Sequence, residues 1–310
     1  MSVLFTFPGQ GSQRSGMLRA LPDHVAATRA IEEASDTLGY DVRALDTADA
    51  LRSTTAVQLC LLIAGVAQAR VLGARGHEPD LVTGLSIGAY PAAVSAGALH
   101  YADAVRLVAL RGQLMERAYP GGYGMTAIVG MTQRALEPLI ARVNSAAMPV
   151  FLANINAQTQ MVVAGSHAAM HELATLAGEH GAQRCERLDV AVPSHCALLD
   201  EPAAELADAF ARVAVQAPRV VYLSSSVARP LFDGPRVAAD LAGNMARPVR
   251  WHDTIRLAWE RGARLAVEMP PANVLTRLSC AIFGEGIAVS CSETALHDVE
   301  ALIERERARE

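Results

Sequence analysis

Short apolar segments alternate with helical segments along almost the whole chain, and this alternation limits the fold more than any other feature of the sequence. The first apolar segment, Val3 to Phe7, is stopped by Pro8. Later segments such as Asp80 to Thr83 and Leu265 to Val267 are flanked by stretches of helical periodicity. Strands separated by helices pair in parallel, because each helix covers a face of the sheet while the chain returns. The alternation therefore predicts an α/β protein with a mainly parallel sheet.

A different order of elements occupies the middle of the chain. Between Met125 and Leu188 the periodicity predicts strand, helix, strand, strand, helix and strand. This βαββαβ order is typical of a ferredoxin-like unit, and its length suits an inserted subdomain. The full length of 310 residues also exceeds what a single core usually supports. We therefore expect a core formed by residues 1–123 and 190–310 and a subdomain formed by residues 124–189.

The composition excludes several classes of function. The formal net charge is −5, whereas nucleic acids and acidic membranes attract dense positive charge, so we expect neither as a partner. The sequence has no lysine, which excludes Schiff-base catalysis and a P-loop. The five cysteines lack metal-binding spacing, and we find neither a leader nor a run of about 18 apolar residues. We expect reduced thiols, no metal, no cofactor and a cytoplasmic location.

One serine lies at a glycine-flanked turn between a predicted strand and a predicted helix. The run Gly84-Leu85-Ser86-Ile87-Gly88 directly follows the strand Asp80 to Thr83, and an alanine-rich helical segment follows the run. This is the context of a nucleophile elbow, in which small neighbours permit the sharp turn and the helix start offers N–H groups to a developing oxyanion. A purely structural Gly/Ser turn is the alternative. The context favours Ser86 as a nucleophile.

A nucleophilic serine needs a base, and one of the nine histidines stands apart. His195 closes the run Val192-Pro193-Ser194-His195, at the junction between the subdomain and the core. A structural role for His195 is the alternative. Asp103 and Asp189 lie in the part of the chain where serine hydrolases often carry the acid that orients the histidine. A backbone carbonyl can perform the same orientation, so neither aspartate is required.

Arg111 is the next informative residue. It shares a face of the predicted helix Tyr101 to Arg117 with apolar side chains, so it either extends outward to solvent or pairs with a buried anion. Beside a nucleophilic serine, a buried arginine could hold the free carboxylate of a dicarboxylic acyl group.

The loop Gly9-Gln10-Gly11-Ser12-Gln13 follows the first strand but lacks the third glycine of a dinucleotide-binding loop. A better use for this loop is to offer the backbone N–H of Gln10 to an oxyanion hole, beside the N–H of Ile87.

These motifs together resemble the malonyl-CoA:acyl-carrier-protein transacylase family, and the resemblance covers nearly the whole chain. In family order the matching runs are Phe7-Pro8-Gly9-Gln10-Gly11-Ser12-Gln13, Gly84-Leu85-Ser86-Ile87-Gly88, Ala153-Asn154-Ile155-Asn156 with Val162-Val163-Ala164-Gly165, Val192-Pro193-Ser194-His195-Cys196, and Asn244 with Pro248-Val249-Arg250-Trp251. The resemblance implies an α/β-hydrolase-like core with a ferredoxin-like insertion. It also implies transfer of malonyl from malonyl-CoA to the phosphopantetheine-type thiol of an acyl carrier protein, by a ping-pong reaction through a malonyl-serine.

The resemblance further implies a role for each candidate residue. Ser86 would be the nucleophile and His195 the general acid and base. The supporting groups would be Arg111 for the malonyl carboxylate, the backbone N–H groups of Gln10 and Ile87 for the oxyanion, and the backbone carbonyl of Asn244 for orienting the histidine. Malonyl-CoA is a substrate here, so no cofactor is implied.

Two positions depart from the family pattern. Leu85 and Ala89 stand where the family usually has histidine and glutamate. The resulting Leu-Ser-Ile-Gly-Ala sequence is most similar to the transacylase (epsilon) subunit of bacterial malonate decarboxylase, which loads the carrier subunit of that system. This similarity favours that carrier over the carrier of fatty-acid synthesis. The same serine and histidine would also suit a serine thioesterase or esterase, and the chain could instead be an inactive carrier-docking subunit.

Overall fold

The computed structural model describes residues 2–119 and 121–309. The strands in these residues are β1 (Ser2–Phe7), β2 (Leu81–Gly84), β3 (Tyr123–Val129), β4 (Val150–Ala157), β5 (Gln160–Ser166), β6 (Arg184–Arg187), β7 (Val221–Ser224), β8 (Arg229–Leu231), β9 (Ala263–Glu268) and β10 (Ile287–Ser290). The α-helices are α1 (Val25–Leu38), α2 (Thr54–Ala74), α3 (Ala89–Ser95), α4 (Tyr101–Ala118), α5 (Gln133–Val143), α6 (His167–Glu179), α7 (Asp200–Phe210), α8 (Gly234–Gly243), α9 (Trp251–Glu260), α10 (Val274–Cys280) and α11 (Leu296–Arg307).

The larger sheet has the strand order β10-β9-β1-β2-β7-β8. The strands from β10 to β7 pair in parallel, and β8 closes the sheet as the antiparallel arm of a hairpin with β7. The central strand β1 is apolar on both faces, and Val3, Leu4 and Phe5 are fully buried because helices cover both sides of the sheet. The predicted mainly parallel α/β core is therefore confirmed. Parallel pairing also brings the loops after β1, β2, β9 and β10 to the same edge of the sheet.

The smaller sheet has the order β4-β5-β3-β6 and is antiparallel throughout. Helices α5 and α6 pack against it and against each other, around a separate apolar cluster that includes Ile128, Leu136 and Leu173. The predicted ferredoxin-like βαββαβ order is confirmed. A short contact joins this sheet to the larger part, because the backbone N–H of Ile155 donates to the Val249 carbonyl at 2.8 Å. The division into independent domains at residues 124 and 189 stays a prediction.

Helix α2 is the central helix of the core. It is long and apolar enough to cross a membrane, but 83% of its most apolar window is buried inside the protein. It packs against α1 and α4, so its apolar character is explained by burial on every side. The cytoplasmic location stays a prediction.

Some elements of the core carry little signal in the sequence. A 3₁₀ turn, Ala197–Leu199, precedes α7, and this helix ends at Phe210. The elements β8 and α8 were not predicted. Strand β8 has only three residues, too few to show a periodicity. The start of α8 does carry a helix-capping signal in the sequence, namely Asp233, whose side chain accepts a hydrogen bond from Arg236 N at 2.9 Å. Near the end of α11, Glu306 is buried.

Candidate active site

Ser86 lies on a strained turn between β2 and α3. Its φ angle is 59°, in the left-handed region that side chains rarely adopt. The flanking glycines make this turn possible. A Cβ atom at Gly84 would lie 1.9 Å from the carbonyl carbon of Gly88, and a Cβ atom at Gly88 would lie 2.1 Å from the carbonyl oxygen of Phe7. The turn therefore tolerates no side chain at either glycine and presents the serine hydroxyl at the edge of the sheet.

His195 meets this hydroxyl although it is 109 residues away in the chain. Its Nε2 atom lies 2.7 Å from Ser86 Oγ. Its Nδ1 atom lies 2.8 Å from the carbonyl oxygen of Asn244 and 3.1 Å from that of Arg247. Carbonyl oxygens only accept hydrogen bonds, so Nδ1 carries the proton and Nε2 is free to accept the serine proton. The arrangement is that of a nucleophile and its base.

The 3₁₀ turn Asn244–Ala246 after α8 takes the place of an orienting acid. The backbone N–H of His195 donates to the Met245 carbonyl at 2.6 Å, which fixes the left-handed φ of 66° at the histidine. The two aspartates considered from the sequence do not contact His195. Asp103 accepts a hydrogen bond from exposed Arg106 at 3.0 Å, and Asp189 is exposed.

The surroundings of His195 keep its ring neutral. Burial lowers the pKa of His195 from 6.5 to about 4, and the positive charge of Arg111 acts in the same direction, while the hydrogen bonds to the two carbonyls oppose it. A histidine with this pKa is unprotonated at neutral pH. It can therefore accept a proton from Ser86 without first losing one.

Arg111 is only 1% exposed, so its guanidinium does not extend to solvent and the first alternative for this residue is wrong. Its Nη1 donates to Gln58 Oε1 at 2.7 Å, and its Nη2 donates to Ser86 Oγ at 3.3 Å and to Asn244 Oδ1 at 3.2 Å. All three acceptors are neutral. Burial lowers the pKa of Arg111, but arginine remains charged in proteins.

No ion pair neutralises this buried charge among residues 2–119 and 121–309, and Arg111 Nε has no hydrogen-bond partner in them. A buried charge without a counter-ion is costly. An anion bound beside the serine hydroxyl would offset this charge, and the role of Arg111 in binding a substrate carboxylate stays a prediction.

Of the two residues expected to supply oxyanion N–H groups, Gln10 lies in the loop after β1 and Ile87 lies in the serine turn itself. Gln10 follows β1 in a loop that packs tightly on the turn, since a Cβ atom at Gly9 would lie 2.7 Å from the carbonyl oxygen of Leu85. The Ser12 hydroxyl steadies this loop by donating to the Gly9 carbonyl at 2.7 Å. Ile87 follows Ser86 in the first helical turn, where N–H groups have no acceptor within the helix. Their part in an oxyanion hole stays a prediction.

Gln58 was not identified from the sequence. It is a fully buried residue of α2 whose amide oxygen holds Arg111 in place. The available signal was an amide within a largely apolar helical segment, and that signal does not say which residue the amide contacts. The strand β4 adds two further buried amides, Asn154 and Asn156, whose Oδ1 atoms have no partner among the described residues.

Comparisons with known proteins agree with this geometry. Residues 4–289 match the family model of the acyl transferase domain. A curated relative from Haemophilus influenzae, named malonyl CoA-acyl carrier protein transacylase, is 36% identical over 296 residues, which cover 93% of this chain and 95% of the relative.

Solved structures show the same fold. An acyl carrier protein S-malonyltransferase from Vibrio cholerae superposes with a TM-score of 0.91 at 34% identity, covering 97% of this chain and 100% of that protein. A malonyl-transacylase solved in complex with its type II PKS acyl-carrier protein superposes with a TM-score of 0.91 at 31% identity, covering 98% of this chain and 100% of that one.

Proposed function

Because this chain belongs to the acyl transferase domain family, and is thus an acyltransferase, we propose that it moves a malonyl group from malonyl-CoA to the thiol of an acyl carrier protein. The names of the relatives support both the donor and the carrier. The position of Arg111 supports the choice of malonyl.

Arg111 is the observation that carries this proposal. A malonyl group has a carboxylate one methylene beyond the thioester carbonyl that the serine attacks. A guanidinium 3.3 Å from Ser86 Oγ is therefore within reach of that carboxylate when the carbonyl is at the serine. An acetyl group would leave the cation buried without an anion, at a penalty of roughly 1–3 kcal/mol.

The first half of the reaction forms a malonyl-serine. Ser86 Oγ attacks the thioester carbon while its proton passes to His195 Nε2. The N–H groups of Gln10 and Ile87 stabilise the oxyanion of the tetrahedral intermediate. The intermediate then expels the CoA sulfur, which takes the proton from His195. Throughout, the second proton stays on His195 Nδ1, which donates to the carbonyl oxygens of Asn244 and Arg247, and the dipoles of these carbonyls stabilise the imidazolium in place of a carboxylate.

The second half returns the serine to its starting state. The carrier thiol attacks the malonyl ester and gives its proton to His195 Nε2, and the departing Ser86 oxygen takes that proton back. In the malonyl-bound state the substrate carboxylate neutralises Arg111. The positive charge of Arg111 is one of the two causes that lower the pKa of His195, so the substrate strengthens the base that acts on it.

Replacing Arg111 with alanine tests the proposal. The loss of a buried charged pair costs about 3 kcal/mol, so we expect kcat/KM for malonyl-CoA to fall roughly 100-fold while acetyl-CoA changes much less. Arg106→Ala is the matched control, because Arg106 lies on the same helix but is exposed and paired with Asp103. An equal loss for both acyl groups would remove the carboxylate role from Arg111. Rapid malonyl-CoA hydrolysis without a carrier would favour the thioesterase alternative.

We further propose that the carrier is the one of a malonate decarboxylase system. The support is the presence of Leu85 and Ala89 around the serine, because the sequence with these two residues is similar to that of the transacylase subunit of that system. Leu85 packs against Gly9 and Ala89 is buried, so both are packed next to the serine turn. The test compares malonyl transfer to holo-carriers of the two systems. The Leu85→His, Ala89→Glu double variant is expected to lose the preference for the decarboxylase carrier, and a parental preference for the fatty-acid carrier would reject this assignment.

A further inference from the structure

A second cavity opens at the same edge of the parallel sheet as Ser86. It has a volume of about 510 Å³ and lies between the loops after β1, β9 and β10, with α2 and the start of α11 completing its wall. The crevice outside the carboxyl ends of parallel strands is where α/β proteins commonly bind ligands. None of the residues assigned to the acyl-transfer site lines this cavity.

Hydrogen bonds hold the walls of this cavity in place. The buried carboxylate of Asp46 accepts from the backbone N–H groups of Met17 and Leu18, each at 2.9 Å. On the opposite side, Cys291 N donates to the Glu268 carbonyl at 2.9 Å, and Ser290 Oγ donates to the Ala272 carbonyl. The cavity is therefore preformed.

Gln68 of α2 is the buried polar residue in the wall. The residue is 3% exposed as a whole, and its side chain bonds to no residue in the two described ranges, but its amide atoms are not fully enclosed in the way that Asn154 Oδ1 is. Gln58 of the same helix is equally buried but bonds to Arg111. The Gln68 amide lines the cavity without a partner in the protein, so its hydrogen-bonding groups are open to whatever fills the cavity. Gln68 is therefore a polar group that a ligand in the cavity could satisfy.

The charged groups nearest the cavity have both signs, because Arg14 is among the described lining residues while the Asp46 carboxylate lies behind the wall on the N–H groups of Met17 and Leu18. Arg14 lines it, is exposed, and takes part in no ion pair within the described part of the chain. None of the described lining residues is acidic. Helix α11 begins at the wall with Leu296, but Asp298 in its first turn opposes the positive end of the helix dipole, so the attraction for an anion comes from Arg14. The remaining wall is largely apolar and includes Leu21 and Val299.

We propose that this cavity binds a small organic carboxylate with an apolar body and a second polar group. The carboxylate pairs with Arg14, the body lies on the apolar wall, and a hydroxyl or carbonyl group bonds to the Gln68 amide. The cavity is large enough for a ligand of this kind. This inference is independent of the acyl group and of the carrier proposed above.

Methyl NMR on the full chain labelled at methionine tests this proposal. Met17 lines the cavity, whereas Met245 lies beside His195, so their signals separate binding here from binding at the acyl site. Each signal is assigned by replacement with leucine. The probes are 8-hydroxyoctanoate, octanoate, which lacks the hydroxyl, and 1,8-octanediol, which lacks the carboxylate. Each is titrated into the parent, Arg14→Gln, Gln68→Leu and the control Arg19→Gln, which changes an exposed arginine outside the cavity.

We expect 8-hydroxyoctanoate to shift the Met17 signal saturably and to bind more tightly than either other probe. Removing the hydroxyl should weaken binding about fivefold in the parent and not at all in Gln68→Leu. Arg14→Gln should weaken both carboxylates about threefold, and Arg19→Gln should not. A Met17 signal that does not move at millimolar probe would overturn the proposal. Equal affinities of the three probes, or shifts confined to Met245, would do the same. The surface variant Arg14→Gln keeps the test valid even if Gln68→Leu folds poorly.

Discussion

The depressed pKa of His195 makes folding stability depend on pH in a way that one substitution should remove. In the folded protein this pKa is about 4, against 6.5 for an ordinary histidine, chiefly because the ring is buried. Between these two values the unfolded chain binds a proton that the folded chain does not. Stability from this group is therefore complete above pH 6.5 and is lost as the pH falls toward 4.

The full difference corresponds to about 3 kcal/mol, and the part lost between pH 7 and pH 5 to about 2 kcal/mol. His195→Asn removes the titration, and asparagine is among the residues that best tolerate a left-handed φ. The hydrogen bonds lost in the variant lower its stability at every pH and do not change the slope. Buried Asp240 and Glu268 have raised pKa values, which act in the opposite direction. Both proteins share them, so they cancel in the comparison.

The assay is guanidinium unfolding followed by circular dichroism at pH 7, 6 and 5. We expect the stability deficit of His195→Asn to shrink by about 2 kcal/mol from pH 7 to pH 5. A deficit that stays constant over this range would show that His195 is not held neutral by burial, and would refute the electrostatic argument for a ready base.

Two further predictions concern the serine turn and the arginine pocket. Gly88→Ala places a Cβ atom 2.1 Å from the Phe7 carbonyl oxygen, so we expect a loss of about 3 kcal/mol or more in unfolding free energy. Gly178→Ala, with open space around its Cβ position in α6, should be neutral or slightly stabilising; equal melting curves for the two variants would contradict the packing argument. Gln58→Leu leaves Arg111 Nη1 without its acceptor, so we expect kcat/KM for malonyl-CoA to fall about tenfold in steady-state assays. An unchanged value would show that Gln58 does not position Arg111.

The sequence was most informative where local chemistry decides the structure. The glycine-flanked turn at Ser86 follows largely from steric limits within five residues, since a Cβ atom at Gly84 would meet the backbone of Gly88. The alternation of strands and helices also predicted the parallel sheet, because the secondary structure of each apolar segment can be inferred from that segment alone. The βαββαβ order of the inserted part was likewise visible from periodicity.

Contacts between distant segments could not be predicted in this way. An arginine on an apolar helix face looks the same whether it extends to solvent or is buried, and the sequence left both possibilities open for Arg111. Packing of α2 against α4 decided the question by bringing Gln58 to the guanidinium, 53 residues away. The cavity at Gln68 depends on loops from several distant parts of the chain, so no single stretch of sequence could indicate it.

Intact-protein mass spectrometry after mixing with malonyl-CoA tests the central claim most directly. We expect the parent protein to gain the mass of one malonyl group, to lose it when a holo-carrier is added, and the Ser86→Ala variant to gain nothing. The same malonyl gain on Ser86→Ala, or no gain on the parent, would contradict an acyl transfer that passes through the hydroxyl of Ser86.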